Sequence, residues 1–544
     1  MQRPCHLTRR RFLATLAATP ALAAFGPRLL LPPRAAHARS LPGYAIEAEV
    51  DVDGGTLVAS QTVTVQNRVG VSLDRVIFRV VPATVGSFAL RAASVDGTDV
   101  PASLDGNIMT VTLPAPLDPG GSTSIGLQYA IRLSREPNRL AAAGRTIALG
   151  NWFPILAVHR GEWDRRQYTD VGDAFFTEVA DYDVTISTSR PVEVAATGQL
   201  VDGSGTRWRF RAANVRDFAV TMSADYRVHE ARAGEVAVRA YTADAARSRR
   251  LADRAVDFLR WLSDRFAPYP YPTLSIADVE LSPSYAGMEY PALVMLSPYL
   301  SAGEPFVGGQ LDALLLHEIV HQWFYSLVGN DQIADPWLDE AVTTYVTYLY
   351  YAENSPGLAS GVFDRTIPGG GSAPVDSGVT EFPSDPPYFA VVYRRGARFL
   401  HALRERTGHD AFMGLLRQHV ATHRDRVATP RAFLDRALAA AGPSAAPLIR
   451  DYFRYGAFAY PTPQTWTLEA PAIPWSRGAD VFVGADFPVS RVELWLDQRR
   501  MSSGPENAVT LDLATVEAGE YVLLARVFNH EDAVFERTQR IEVG

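Results

Sequence analysis

The segment His317-Glu318-Ile319-Val320-His321 has the clearest chemical content in the chain. On a helix, residues i and i+4 share one face, so both imidazoles can reach a single ion. Glu318 sits beside that point, where a carboxylate can take a proton from water. Five matching residues arise often by chance, and a helix with two histidines in its core or on a wet face would look the same. Two features favour a metal. Leu315, Leu316, Ile319, Val320 and Trp323 around the motif are apolar, and a buried His-Glu-His cluster without a partner carries a heavy desolvation cost. The second feature is Glu340, which follows His321 after 18 residues, in Trp337-Leu338-Asp339-Glu340-Ala341. That gap lets the helix end, turn and return antiparallel, bringing a carboxylate to the same point. Two His and one Glu with an open fourth position describe a catalytic zinc site, one ion per chain, rather than a closed structural one.

The elements around this motif follow from its periodicity. The pattern predicts a helix over 310–328, closed by Gly329-Asn330, and a second over 337–353. An earlier helix places Leu251, Ala255, Phe258, Leu259 and Leu262 on one face and ends at Pro268-Tyr269-Pro270-Tyr271-Pro272. Further helices are expected over 394–407, 410–423 and 430–441, and 367–387 is rich in Gly, Pro and Ser and reads as a long loop. Upstream, from about 41 to 230, Tyr44, Ile46, Ala48 and Val50 alternate with polar neighbours, and Asp-Gly pairs such as Asp96-Gly97 punctuate the strands. That region reads as all-β. From about 465 the period returns to two, and the last 75 to 80 residues read as a small β-sandwich. The expected organisation is therefore a multidomain α+β chain: a leader over 1–38, a β domain over 39–232, a catalytic domain over 233–464 and a small β domain over 465–544.

Several ordered motifs then make a resemblance. The spacing of His317, His321 and Glu340 is similar to that of the gluzincin metallopeptidases, and specifically resembles the aminopeptidase-N family, which includes leukotriene hydrolase. Tyr285-Ala286-Gly287-Met288-Glu289-Tyr290 resembles that family's Gly-x-Met-Glu-Asn segment, and Tyr393-Arg394-Arg395-Gly396-Ala397 its Tyr-x-Lys-Gly-Ala segment. Residues 266–271 resemble its Phe-Gly-x-Tyr-Pro-Tyr approach. Likeness continues faintly through Asn151-Trp152-Phe153-Pro154 and 176–184, is strongest over 266–400 and fades after about 461.

The resemblance implies a saddle-like N-terminal β domain and a thermolysin-like catalytic domain. It implies that His317, His321 and Glu340 bind zinc, that Glu318 is the general base, and that Tyr393 stabilises the oxyanion. Glu289 would pair with the free α-amino group of a peptide, with Gly287 and Met288 lining the cleft beside it. The implied activity is removal of N-terminal residues from peptides. The rival readings are a metallo-endopeptidase that makes no use of Glu289 and a non-catalytic peptide-binding module.

Departures from the family pattern are Tyr290 for Asn, Asp339 and Ala341 for Asn and Gly, and Arg395 for Lys. The Tyr290 change falls on the substrate-edge loop. No residue of the β domain matches the Gln or Glu that helps hold the amino terminus in the family. Longer members carry a large helical domain where this chain has its β module, which implies a more open site. His419 and His423, also four apart, lack an interposed Glu and a third ligand and read as a solvated helix face. Asp339 reads equally as support for the metal carboxylate or as an exposed acid that suits the helix dipole.

Composition narrows the chemistry independently. The chain has 544 residues and a net charge of −8, with no lysine and a single thiol, Cys5. Lysine nucleophiles, Schiff bases, disulfide frameworks and cysteine catalysis are excluded. Thr8-Arg9-Arg10-Arg11-Phe12-Leu13 ahead of a short apolar stretch reads as a bacterial export signal resembling the twin-arginine type, too short to span a membrane. Cleavage after Ala38 removes six arginines and no acid, taking the balance from −8 to −14. Such a surface repels nucleic acid and anionic membranes. The expected setting is periplasmic or extracellular, with no stable membrane span after cleavage and peptides bearing a free N-terminus as partners.

Overall fold

The computed structural model describes residues 41–282, 285–300, 306–367, 371–442 and 445–454, and within the C-terminal region 466–469, 478–485, 489–497, 499–504, 508–513, 516–529 and 534–543. The expected export signal lies outside the described residues.

The β-rich region is built on strands whose alternation holds residue by residue. In Gly43–Asp51, Tyr44, Ile46, Ala48 and Val50 are buried while Ala45, Glu47 and Glu49 are exposed. This strand lies at the centre of an eight-stranded sheet, antiparallel to Thr56–Gln66 and parallel to Ala180–Thr188. Two four-stranded sheets and a short two-stranded one, His159–Arg160 with Glu162–Trp163, accompany that sheet. Of the four-stranded sheets, one joins Glu193–Ala196, Val220–Ser223, Thr146–Leu149 and Leu140–Ala143, and the other is centred on Leu73–Arg79 and Ile108–Leu117. Tyr44, Phe153 and Tyr182 pack ring on ring between them, with the Tyr44 and Tyr182 centroids 4.7 Å apart.

The catalytic region opens with a five-stranded sheet running Arg227–Ala233, Val236–Thr242, Thr273–Asp278, Leu293–Leu296 and Gly287–Met288. Helix α1 (Ala245–Arg265) makes the crossover between the second and third of these, which are parallel. Asp244 caps α1 by accepting from the Ala246 amide, and the expected apolar face, Leu251 through Leu262, is buried. Gly287–Met288 is the outermost strand, so the segment expected to meet substrate has one backbone edge outside the sheet.

Three helices then follow: α2 (Gln310–Val320), α3 (Trp337–Asn354) and α4 (Pro356–Thr366). Helix α2 stops eight residues before the expected end at 328. Past it, the chain tightens into turns in which the Ser326 amide bonds the His321 carbonyl and the Val328 amide bonds the Trp323 carbonyl. Side chains fix this turn from outside: Gln322 bonds the Ala292 amide, and the Trp323 indole donates to the Ala267 carbonyl. Apolar periodicity carried through those residues, but their tertiary partners overrode it. Helix α4 is not among the expected helices; Pro356 occupies its first turn, where its missing N–H costs nothing. Beyond lie Gly396–Thr407, His409–His423, Pro430–Ala441 and Ala445–Tyr452, then two antiparallel sheets in the C-terminal region. His419 is buried against Phe433 rather than solvated, since its helix turns that face inward. Among the described residues no helix is long and apolar enough to cross a membrane.

Two buried polar side chains tie the β region to the catalytic region. Arg216 donates to the carbonyls of Tyr325, Thr177 and Arg426 at 2.8, 3.1 and 2.5 Å. Next to it, Asp217 accepts from the Phe218 amide and from Asn151, whose own oxygen accepts from the Tyr290 hydroxyl at 3.0 Å. Burial pushes the Asp217 carboxyl up from 3.8 to about 7, the two donors offsetting it only in part. The folded protein thus holds one more proton at Asp217 than the unfolded chain between about pH 4 and 7. This group's contribution to stability is complete below that window, falls as pH rises through it and is level above. Asp217→Asn removes that slope. In denaturant titrations, the variant's stability relative to the parent should rise from pH 4 to pH 7 by on the order of 3 kcal/mol.

Candidate active site

Helices α2 and α3 run antiparallel, so the C-terminal end of α2 meets the first turn of α3. His317 and His321 come from the former and Glu340 from the latter. The three donor atoms form a near-equilateral triangle. His317 Nε2 lies 3.2 Å from His321 Nε2 and 3.2 Å from Glu340 Oε2, and His321 Nε2 lies 3.3 Å from the same oxygen. Three corners of a tetrahedron around an ion with 2.0–2.1 Å bonds are separated by about 3.3 Å. The donor set and its spacing therefore fit zinc.

Neighbouring groups fix how these donors face. His321 Nδ1 donates to the Phe324 carbonyl at 3.0 Å, which orients the ring so that Nε2 faces the triangle. Burial lowers the His317 imidazole and would raise Glu340, but the charge of His321 and hydrogen bonds from both histidines hold Glu340 well below the usual carboxylate range. Asp339 is buried, not exposed: it accepts from Asn330 at 3.0 Å and Gln332 at 2.8 Å, and its Oδ1 also accepts from the Glu340 amide. That resolves the two readings of Asp339 in favour of support for Glu340.

Glu318 is buried beside the triangle, and its Oε2 has no hydrogen-bond partner. Burial pushes its carboxyl up to about 8, with Glu340 and Asp173 adding to the effect and His321 opposing it. Gly287 leaves room for it, since a Cβ at 287 would run into the Glu318 carboxylate. Met288 is buried on the same strand, 3.3 Å from the Arg139 guanidinium.

Tyr393 sits on a π-helical stretch, Phe389–Arg395, of which the sequence pattern assigned only Arg394 and Arg395, to the start of an α-helix. Its ring stacks on His317 with centroids 5.8 Å apart and 12° between planes. Burial raises the phenol well above its ordinary value, so it stays a hydrogen-bond donor. The helix that follows approaches α3 closely at Gly396, where a Cβ would meet the Ala341 methyl.

Glu289 is buried, 3.4 Å from the Gln332 amide nitrogen, with burial raising its carboxyl well above the usual range. Its partner from the β region, which no motif marked, is Asp173: single oxygens of Asp173, Glu289 and Glu340 lie within 4.8 Å of one another. Asp173 is ion-paired to buried Arg139, which also donates to the Gly172 carbonyl. A short acid in a polar loop carries no periodic signal, so only the fold reveals it. Tyr290, expected on the substrate edge, is fully buried and points to Asn151. The expectation that this change alters the substrate loop is corrected: a phenol long enough to reach the β region replaces a shorter amide.

The functional groups open onto a cavity of about 660 Å³ bounded by Gly287, His317, Glu318 and Tyr393. A larger recess of about 790 Å³, along Tyr182, Arg211 and Tyr271, holds none of them.

The peptidase family M1 domain is matched by residues 251–450, the span that carries the triangle, Glu318, Glu289 and Tyr393. The chain carries a peptidase family M1 domain. Aminopeptidase B of Rattus norvegicus is 34% identical over 89 residues, 16% of this chain and 13% of that protein. Leukotriene A-4 hydrolase of Xenopus laevis is 27% identical over 178 residues, 30% of this chain and 28% of that one. The chain thus spans less than a third of these curated relatives. The M1 zinc metallopeptidase of Deinococcus radiodurans shares the fold, with a TM-score of 0.57, 22% identity and coverage of 75% of this chain and 93% of that one. The β-rich region, the helical M1 domain and the C-terminal strands together match that architecture.

Removing a donor from the triangle should empty it. His321→Ala and Glu340→Ala, purified without chelator, should carry well under one zinc per chain by atomic absorption, against about one in the parent. Dialysis against chelator should lower the melting temperature of the parent and leave both variants unmoved.

Proposed function

We propose that this protein is an exported, periplasmic or extracellular zinc aminopeptidase that releases N-terminal residues from peptides. The observation that carries the reading is a buried Glu318 with one oxygen unpartnered beside a metal-donor triangle that the acid pair Glu289 and Asp173 adjoins at Glu340. The export part rests on the arginine-rich leader.

The chemistry supplied by zinc at His317, His321 and Glu340 is polarisation of the scissile carbonyl and acidification of water. The residues of the chain account for the rest. Glu318, with one oxygen free, takes a proton from the attacking water and delivers it to the departing amine. Tyr393, neutral and stacked on His317, donates to the oxygen that gains charge. Glu289 and Asp173 receive the substrate ammonium, whose charge offsets the crowding of acids there. The free edge of Gly287–Met288 offers backbone groups to an extended peptide.

A peptide without a terminal ammonium leaves those two acids uncompensated, which disfavours mid-chain cleavage. The solved Deinococcus metallopeptidase structures include a mutant bound to a Tyr-Ser-Ala substrate, which supports a short peptide as the ligand class. Peptides with a free amino terminus should be cleaved at least about a hundredfold faster than their N-acetylated forms. Equal cleavage of both would overturn the aminopeptidase reading in favour of an endopeptidase. Glu318→Gln should keep its zinc by metal analysis and lose about a thousandfold in kcat; unchanged turnover would refute the role of Glu318.

A further inference from the structure

The cavity continues from the donor triangle along the facing sides of α2 and α3. On α2 its wall runs from His317 back to Gln310, seven residues or about 10 Å along the axis. On α3 the wall continues from near Glu340 through Thr344 and Thr347, one face of the helix over a similar rise. At the far end stands Arg365 of α4, held by a 2.6 Å bond from its Nη2 to the Gly308 carbonyl just before α2. Arg394 lies next to Tyr393 on the same wall.

Three observations set the chemistry of this end apart. Among the described residues neither arginine is ion-paired with a carboxylate, and both are exposed. The cavity's single acid is Glu318, at the opposite end. Thr344 and Thr347 are buried, and their hydroxyls have no partner within the protein. The site is thus acidic beside the triangle and cationic beyond it, with Arg394 on the wall next to Tyr393, Arg365 some 10 Å along α2, and free hydroxyls between. Beyond the scissile carbonyl, two extended residues cover about 7 Å and three about 10 Å, so the carboxylate of a three- or four-residue peptide falls along the wall from Arg394 to Arg365.

We propose that Arg394 and Arg365 receive a carboxylate on the leaving side of the scissile bond, so that the preferred substrates are peptides of three to four residues with a free C-terminus. This rests on the aminopeptidase reading and deepens it. The peptide lies with its ammonium at Glu289 and Asp173, its scissile carbonyl at the triangle, and its carboxylate at the two guanidinium groups.

The test compares X-Ala-Ala with X-Ala-Ala-amide, X being the residue released fastest from a panel of aminoacyl 4-nitroanilides. In the parent protein, amidation should reduce kcat/KM by about tenfold or more, chiefly through KM. In the Arg365→Gln/Arg394→Gln double variant the acid-to-amide ratio should fall to about one. Because each ratio is taken within one preparation, a loss of folded protein does not mimic the result. If the double variant does not fold, the single Arg→Gln variants must each reduce the ratio. The same pair of peptides, titrated by calorimetry into Glu318→Gln, should show the same preference in Kd without turnover. X-Ala-Asp-amide separates the two sources of the charge: binding as tight as X-Ala-Ala extends the cleft to side-chain carboxylates, and binding as weak as the plain amide restricts it to the chain terminus. An acid-to-amide ratio near one in the parent, or a ratio that survives in the double variant, overturns the proposal. If no anilide or peptide is cleaved, the aminopeptidase reading falls, while the calorimetric comparison still decides whether the arginines read a carboxylate.

Discussion

Three metal-donor atoms are held 3.2–3.3 Å apart in a buried cleft, and much of the surrounding structure keeps them there. The antiparallel return of α3 brings Glu340 to the end of α2. The Phe324 carbonyl turns His321, Asp339 anchors the Glu340 amide, and Asn330 and Gln332 hold Asp339 in turn. Electrostatic order at the centre is therefore bought with polar scaffolding two residues deep. Around it the acids Glu318, Glu289 and Asp173 raise the local demand for positive charge.

The second constraint is the seam between the β region and the M1 domain. Asp173 completes an acid pair whose other member, Glu289, immediately follows the edge strand of the catalytic sheet, so the pair exists only while the two regions keep a fixed relation. Arg216 meets this need by bonding carbonyls from both sides, and Tyr290 by reaching from the residue after Glu289 to Asn151. A buried guanidinium with three carbonyl acceptors costs heavily to disrupt, because each carbonyl would be left without a donor.

How much of this was legible in the sequence depended on whether a signal was local. His317, Glu318, His321 and Glu340 were marked by spacing on two helices, and the alternation of Tyr44, Ile46, Ala48 and Val50 gave a strand that the fold retains. The end of α2 was misplaced because Gln322 and Trp323 look helical but are drawn into tertiary bonds. Asp173 and the direction of Tyr290 could not be read, since each depends on contacts across more than a hundred residues of chain. His419 was misjudged because its polar neighbours in sequence are not its neighbours in space.

The π-helical turn at Phe389–Arg395 has one more consequence. A π-turn amounts to a single extra residue in an α-helix, and one residue of helical phase is about 100° of rotation. The phenol of Tyr393 faces His317 because of that surplus residue, whereas the metal donors sit on other helices and are indifferent to it. The donor triangle and the placement of the phenol are thus separately encoded. Drift by one residue in this stretch would leave an intact donor triangle beside a phenol facing elsewhere, a route by which a scaffold of this kind keeps its metal while its chemistry changes.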